Sequence, residues 1–277
     1  MIDSLDRAWI LDTGRVATPN GTLVASSYGG PKLVGVNLSN NTVFKTILFP
    51  PTVAYPDSYL NDVRFDLRSD LSGTTGQGIA YITDSSTEGR NGIVMADLGS
   101  GETWRHLDGN DAVHIEKQHV QYLWGEVIYG AQPGLPFTYL NFGSDGIALA
   151  ADGERLYWKS VANRYLYSIP TERLRDRSST SEVLAQGAIN NHGQSGISDG
   201  METDTNGFIY HGMHYSEQRI CLFVSYLMQY RQHGAERHFA LQPGERYCEY
   251  LCKRSQAELD RYGKDIPFST CLIDRER

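Results

Sequence analysis

Cysteine is nearly absent from this chain. The 277 residues include four cysteines, all at or beyond position 221: Cys221, Cys248, Cys252 and Cys271. An even number permits two disulfides in three pairings, or a metal site, but the spacing of Cys248 and Cys252 does not fit a zinc knuckle. We interpret these cysteines as unpaired, so residues 1–218 must fold without a disulfide.

Long apolar runs and an excess of basic side chains are also missing. No apolar stretch approaches 18 residues, which excludes a membrane-spanning helix of ordinary length. The formal charge of −8 makes the phosphate backbone of nucleic acid a poor partner. The N-terminal residues include acids and no apolar core, so we predict no secretion signal in this chain.

The composition changes near residue 218. Residues 1–218 carry a formal charge of −10, whereas residues 219–277 carry +2 and hold every cysteine. The sequence therefore predicts two parts, a folded domain at 1–218 and an atypical tail at 219–277.

A repeat runs through the first part. Asp62, Asp145 and Asp199 each follow a small polar residue and precede a strand-like segment, at intervals of 83 and 54 residues. Asp145 and Asp199 are each followed seven positions later by an Asx-Gly pair, Asp152-Gly153 and Asn206-Gly207, and then by a second strand pattern. An Asx-Gly pair supplies the positive φ that a tight hairpin needs.

About 50 residues is the length of a four-stranded propeller blade with generous loops. The longer interval fits one blade with an insertion, which we place at residues 118–139. We also expect a short helix after Pro170, with Thr171 as its cap. An antiparallel sandwich is the alternative, but it gives no reason for an aspartate to recur where strands start. We predict an all-β propeller.

Several motifs in this part resemble one family. They are Trp9-Ile10-Leu11-Asp12-Thr13-Gly14, Tyr59–Asp66, Ala80–Ser85, Gly99–Arg105, Ser144–Trp158 and Ser198–Tyr210. Over about residues 1–212 they are similar, in order, to the major royal jelly protein/yellow family, in the form of a fungal or bacterial-type member. The resemblance implies a six-bladed β-propeller that is normally extracellular, and a family linked in insects to pigmentation, nutrition and small-amine binding.

The sequence departs from the family pattern at both ends. Trp9 lies only eight residues after Met1, and no blade-like spacing follows His211. We therefore expect an incomplete propeller of about four blades, truncated at both ends. Our hypothesis is an incomplete or mis-spliced gene model with a non-homologous tail. Such an open ring would expose apolar blade faces, so we expect it to self-associate.

The recurring polar residues are the candidate binding site. In a propeller, equivalent inner-strand positions converge on one axis, so Asn61, Asp62, Asp145 and Asp199 are expected to contact a ligand in an axial channel. Clustered carboxylates repel, so at least one should have a raised pKa. Each aspartate could instead cap its own turn, and Ca²⁺ is a further possibility because it takes oxygen ligands.

Aromatic residues offer a second feature of such a channel. Trp9, Tyr81, Trp124, Tyr157 and Trp158 could hold an amine by cation–π contact, although blade cores are also rich in Tyr and Trp.

No catalytic constellation is recognisable. The chain lacks G-x-S-x-G, P-loop and dinucleotide fingerprints. The leading hypothesis is an extracellular propeller that binds a small, aromatic or amine ligand. The alternatives are a metal-dependent, lactonase-like hydrolase or an isomerase of a small metabolite, and a truncated product without function.

Overall fold

The computed structural model describes residues 1–19, 22–123, 126–130, 136–214 and 220–226, with the backbone alone at 123, 126, 213, 214 and 220–226. All of them belong to one compact unit, Met1–Met228. Trp124 and residues 227–277, with three of the four cysteines, lie outside the described residues.

Antiparallel sheets follow one another along the chain. Four larger sheets occur in the described ranges, each with its strands in sequence order, and two small hairpins lie between the second and the third. The first sheet is β1 Arg7–Asp12, β2 Lys32–Asn37 and β3 Thr42–Leu48; the second is β4 Leu60–Asp66, β5 Ile79–Asp84, β6 Gly92–Asp97 and β7 Thr103–His106. The hairpins are β8 Tyr122–Leu123 with β9 Glu126–Val127, and β10 Tyr129–Gly130 with β11 Thr138–Tyr139. The third sheet is β12 Ser144–Leu149, β13 Arg155–Ser160, β14 Tyr165–Pro170 and β15 Asn190–Gln194; the fourth is β16 Met201–Thr203, β17 Phe208–His214 and β18 Ile220–Tyr226.

Successive sheets pack face to face. Along β5, Ala80 and Ile82 enter a core shared with the first sheet, whereas Ile79 and Tyr81 enter a core shared with the third. Because side chains alternate along a strand, both faces of the second sheet are buried, which explains why β5 and β6 are buried at every position. A smaller core between the third and fourth sheets includes Tyr157 and Ile209.

The first strands of the later sheets form the inner layer. β12 contacts both β4 and β16, and each of these strands opens its own sheet. In the first sheet, Ile2 forms an isolated antiparallel bridge to Ala8 of β1. Face-to-face sheets with neighbouring first strands are the arrangement of a propeller, so the predicted all-β, propeller-type fold class is confirmed.

The Asx-Gly turns are confirmed with one refinement. Gly153 and Gly207 have φ of +74° and +85°, while Asp152 and Asn206 keep negative φ. Glycine alone therefore takes the left-handed conformation, and the connections are longer than a two-residue turn.

Two helices lie on the connection between β14 and β15: α1 Thr171–Arg175 and α2 Ser181–Gly187. The helix after Pro170 is confirmed, but its predicted cap is wrong. Pro170 occupies the N-cap, and Thr171 is the first helical residue, whose hydroxyl donates to the carbonyl of Gly153 at 2.8 Å. A short 3-10 helix covers Asp111–Val113.

The described strands of the insertion after β7 form no hydrogen-bonded pairs with the larger sheets. These strands, β8–β11, pair only as the two small hairpins. At the other end of the chain, β18 pairs with β17 and extends the fourth sheet into the predicted tail. The division at residues 218 and 219, and the predicted self-association, stay predictions.

Candidate functional site

The candidate site begins at matching irregularities in two inner strands. The pairing of β4 with β5 shifts register between Leu60 and Val63, and the pairing of β12 with β13 shifts between Ser144 and Ile147. Such bulges re-aim side chains at the rims of sheets. Asn61 and Asp62 lie in the first bulge, and Asp145 lies in the second.

The structure brings the predicted residues together. The side-chain amide of Asn61 donates a hydrogen bond to the carboxylate of Asp145. Gly146 lies against the backbone of Asp199, because a Cβ on this glycine would be 2.1 Å from the Asp199 carbonyl oxygen. Residues from three consecutive sheets therefore meet, and we call Asn61, Asp62, Asp145 and Asp199 the axial polar group.

Asp145 is the buried member of this group. It is 6% exposed, and burial raises its pKa to about 7; the neighbouring charges of Asp199 and Asp62 raise the pKa in the same direction, against a hydrogen bond from Ser85. This confirms the prediction that at least one clustered carboxylate has a raised pKa. Burial also raises the pKa of Asp62, although the charge of Arg64 opposes the shift.

Turn capping does not account for Asp145. Its carboxylate accepts from Asn61, 84 positions away in the chain. Asp62 both accepts a local backbone hydrogen bond and contacts another side chain of the site. Its Oδ1 accepts from the backbone of Val63 at 2.8 Å and from Arg64 Nη1 at 2.9 Å.

Sequence reasoning missed Arg64 and Glu202. The Arg64 guanidinium reaches from β4 to β16, where it donates to the Met201 carbonyl at 2.5 Å and lies 3.3 Å from the Glu202 carboxylate. Arg64 also pairs with Asp62, so this one cation is shared between two acids. The two-residue spacing from Asp62 was the available signal, because alternate residues share a face of a strand.

Arg64 forms ion pairs with Asp62 and Glu202 but not with Asp145 or Asp199. Within the described ranges, the ion pairs include neither Asp145 nor Asp199. Asp199 is exposed, whereas Asp145 is buried. The axial polar group thus joins a solvent-facing carboxylate to a buried one, an arrangement suited to a cation that enters from solvent.

The predicted aromatic residues lie in cores. Trp9, Tyr81, Tyr157 and Trp158 are at most 3% exposed and pack between sheets. The alternative weighed from the sequence, that these rings fill blade cores, is therefore the correct one for the four described residues.

Neither a metal-binding cluster nor a membrane-spanning helix occurs among the described residues. In the part of the chain that the structure describes, no three histidine, cysteine or acidic side chains are arranged to hold a metal ion. Calcium binding stays a prediction. No described helix has the length and apolar character needed to cross a membrane.

Several solved structures have a similar but distant fold. A gluconolactonase from Xanthomonas campestris matches with a TM-score of 0.39 and 12% identity, over 80% of this chain and 60% of that one. Regucalcin, a calcium-binding protein from Agrobacterium tumefaciens, matches with a TM-score of 0.35 and 13% identity, over 72% of this chain and 52% of that one. At these scores the likeness carries no argument about function.

The sequence comparisons are more specific. Major royal jelly protein 1 of Apis mellifera is 28% identical over 177 residues, which is 63% of this chain and 36% of the relative. The chain thus spans about a third of the length of that relative. The family profile described as Major royal jelly protein matches residues 1–227, which is most of the chain. Together with the stacked sheets, this match shows that the chain belongs to the major royal jelly protein family.

Proposed function

We propose that this chain is part of an extracellular propeller protein that binds a small, positively charged ligand, such as an aromatic amine, at the axial polar group. The observation that carries the proposal is the meeting of Asp145 and Asp199 without a basic partner among the described residues. Membership of the family supports an extracellular location.

The electrostatics favour a cation over an anion or a neutral ligand. Asp62 and Glu202 share the single positive charge of Arg64, and the described ion pairs include neither Asp145 nor Asp199, so the group as a whole carries excess negative charge. Two neighbouring carboxylates repel, and the repulsion grows as Asp145 ionises. A bound ammonium group would relieve this repulsion and draw a proton off Asp145.

The access route that we propose passes Asp199. This residue and Gly200 are exposed, whereas Asp145 is buried. A ligand could therefore place its charged end on both carboxylates while its body stays near the surface. Such two-point contact would orient an amine without a deep pocket.

Calorimetry with 2-phenylethylamine and its neutral analogue 2-phenylethanol tests the proposal. The amine should bind and the alcohol should not. Asp145→Asn, which keeps the shape of the side chain, should weaken amine binding about tenfold, as expected for loss of a hydrogen bond to a charged group. Asp152→Asn, in an exposed turn, is the matched control and should leave binding unchanged. Equal binding of amine and alcohol would refute the proposal.

A calcium titration of the same protein distinguishes amine binding from the hypothesis of a metal-dependent hydrolase or isomerase. Heat at millimolar Ca²⁺ that disappears in Asp145→Asn would favour it over amine binding.

A further inference from the structure

A second candidate site lies at the other end of the strands. The axial polar group is at the start of β4 and β12, whereas a cleft of about 560 Å³ lies between α1, which follows β14, and the connection after the end of β4. Its lining consists of polar and charged residues with glycine, and it includes three arginines, Arg173, Arg175 and Arg177. A volume of this size is typical of a site for a small molecule.

Arg175 lines this cleft and is buried. The residue is 6% exposed, and its guanidinium donates to the Ser72 carbonyl at 3.2 Å and to the Tyr81 hydroxyl at 3.1 Å. None of the ion pairs formed by the described residues includes it. A buried charge is costly unless an opposite charge compensates it, so a bound anion would stabilise this cation.

Neither carboxylate in the lining pairs with Arg175. Glu172 lies 3.6 Å from Arg173, and Asp176 accepts from the backbone and hydroxyl of Ser178 at 2.8 and 3.1 Å. At the rim, Arg177 pairs with Glu102 at 2.7 Å. The positive charge of Arg175 therefore remains unbalanced, in a chain whose formal charge is −8.

A glycine brings the two walls of the cleft close together. Gly73 has φ of +76°, and a Cβ there would lie 3.0 Å from the carbonyl oxygen of Arg175. Arg177 crosses to the same wall, donating to the Gly73 carbonyl at 3.4 Å and stacking 4.8 Å from the Trp104 ring centre. Arg175 and Arg177 are thus held in place by these contacts, which limits the freedom that they would lose on binding a ligand.

We infer that this cleft binds a small sugar phosphate, with the phosphate on the arginines and the hydroxyls on the polar walls. Guanidinium groups form paired, charge-assisted hydrogen bonds with phosphate oxygens. The volume exceeds that of a bare ion, which calls for an organic body. Among the described residues that line the cleft, none has an aliphatic or aromatic side chain, so that body is polar and not a lipid chain.

Calorimetric titration of the full chain with glucose 6-phosphate, inorganic phosphate and glucose tests the inference. Glucose 6-phosphate should bind more tightly than inorganic phosphate, and glucose should give no heat. Arg173→Gln and Arg177→Gln change side chains that are 40% and 42% exposed, so the fold should survive. Each substitution should weaken glucose 6-phosphate binding about tenfold, as expected for one charge-assisted contact.

Matched variants distinguish the cleft from general charge effects. Arg90→Gln removes a similarly exposed arginine outside the cleft and should leave the affinity unchanged. Asp145→Asn should also leave it unchanged, which separates this site from the proposed amine site. Arg175→Lys, checked for folding by circular dichroism, should retain weaker binding, and Arg175→Gln should lose it.

Three results would overturn the inference. They are the absence of heat with millimolar glucose 6-phosphate, wild-type affinity in both Arg173→Gln and Arg177→Gln, and equal affinity for inorganic phosphate and the sugar phosphate.

Discussion

The side-chain amide of Asn61 donates to the carboxylate of Asp145, although the two residues are 84 positions apart in the chain. The hydrogen bond joins two bulges that interrupt neighbouring inner strands at the same level. Asp145 also lies near enough to Asp199 for their negative charges to interact. We call this meeting of Asn61, Asp145 and Asp199 the junction.

Asp145 should make stability fall as pH rises. The pKa of Asp145 is raised by burial to about 7, from an ordinary value of 3.8, so the folded state holds its proton more tightly than the unfolded state. The contribution is favourable below pH 3.8 and is lost as pH rises to 7. The loss is up to about 4 kcal/mol, at about 1.4 kcal/mol per pKa unit. In urea unfolding, Asp145→Asn should gain stability over the wild type from pH 5 to pH 8. A difference that is independent of pH would contradict this.

His211, which is buried, and His192, which is half-buried, should act in the opposite direction. Burial lowers the pKa of both His192 and His211 to about 4, and the positive charge of Arg155 or Lys159, respectively, adds to the shift. The unfolded state therefore takes up protons first as pH falls below 6.5. Stability is complete above that pH and is lost between 6.5 and 4, by up to about 3 kcal/mol for the better buried His211.

Unfolding of the histidine variants separates this loss of stability at acid pH from the pH dependence caused by Asp145. His192→Gln and His211→Gln should each flatten the acid limb of the pH–stability curve. If the acid limb keeps its wild-type slope in both variants, the assignment fails.

A single methyl group at Gly146 should disrupt the junction. Its Cβ would lie 2.1 Å from the Asp199 carbonyl oxygen, and backbone cannot swing aside as a flexible side chain can. We expect Gly146→Ala to cost about 1–3 kcal/mol, the range for overpacking. Gly200→Ala is the control, because a Cβ at Gly200 meets nothing within 4 Å. Comparable losses of unfolding free energy in both variants, measured with urea, would show that the close contact of Gly146 with the Asp199 carbonyl does not determine stability.

The buried pair of Arg105 and Asp84 should be more important than a surface pair. Their side chains are 4% and 0% exposed, and Arg105 Nη1 lies 2.7 Å from Asp84 Oδ2. Arg105→Gln leaves the Asp84 carboxylate buried without its cation, so we expect a loss of about 3–5 kcal/mol. The exposed pair of Arg90 and Asp57 provides the comparison. Arg90→Gln should cost less than about 1 kcal/mol in the same unfolding assay.

The sequence by itself determined the blade pattern and the candidate aspartates. Strand alternation, the glycines at 153 and 207 and the recurrence of Asp62, Asp145 and Asp199 are local features. Each reflects which backbone angles and which faces a short segment can adopt, so it can be predicted without knowledge of its neighbours. The helix cap predicted at Thr171 was wrong by only one position, because capping at a helix end depends on fine backbone geometry.

Only the tertiary structure decided what these residues meet. Arg64 extends to Met201 across 137 positions, and the bulges that aim Asn61 and Asp145 at each other arise from pairing between strands. The burial of Arg175 without a counterion likewise depends on how α1 packs against the connection after β4. Charge balance and burial are properties of the folded surroundings, which a one-dimensional pattern does not contain.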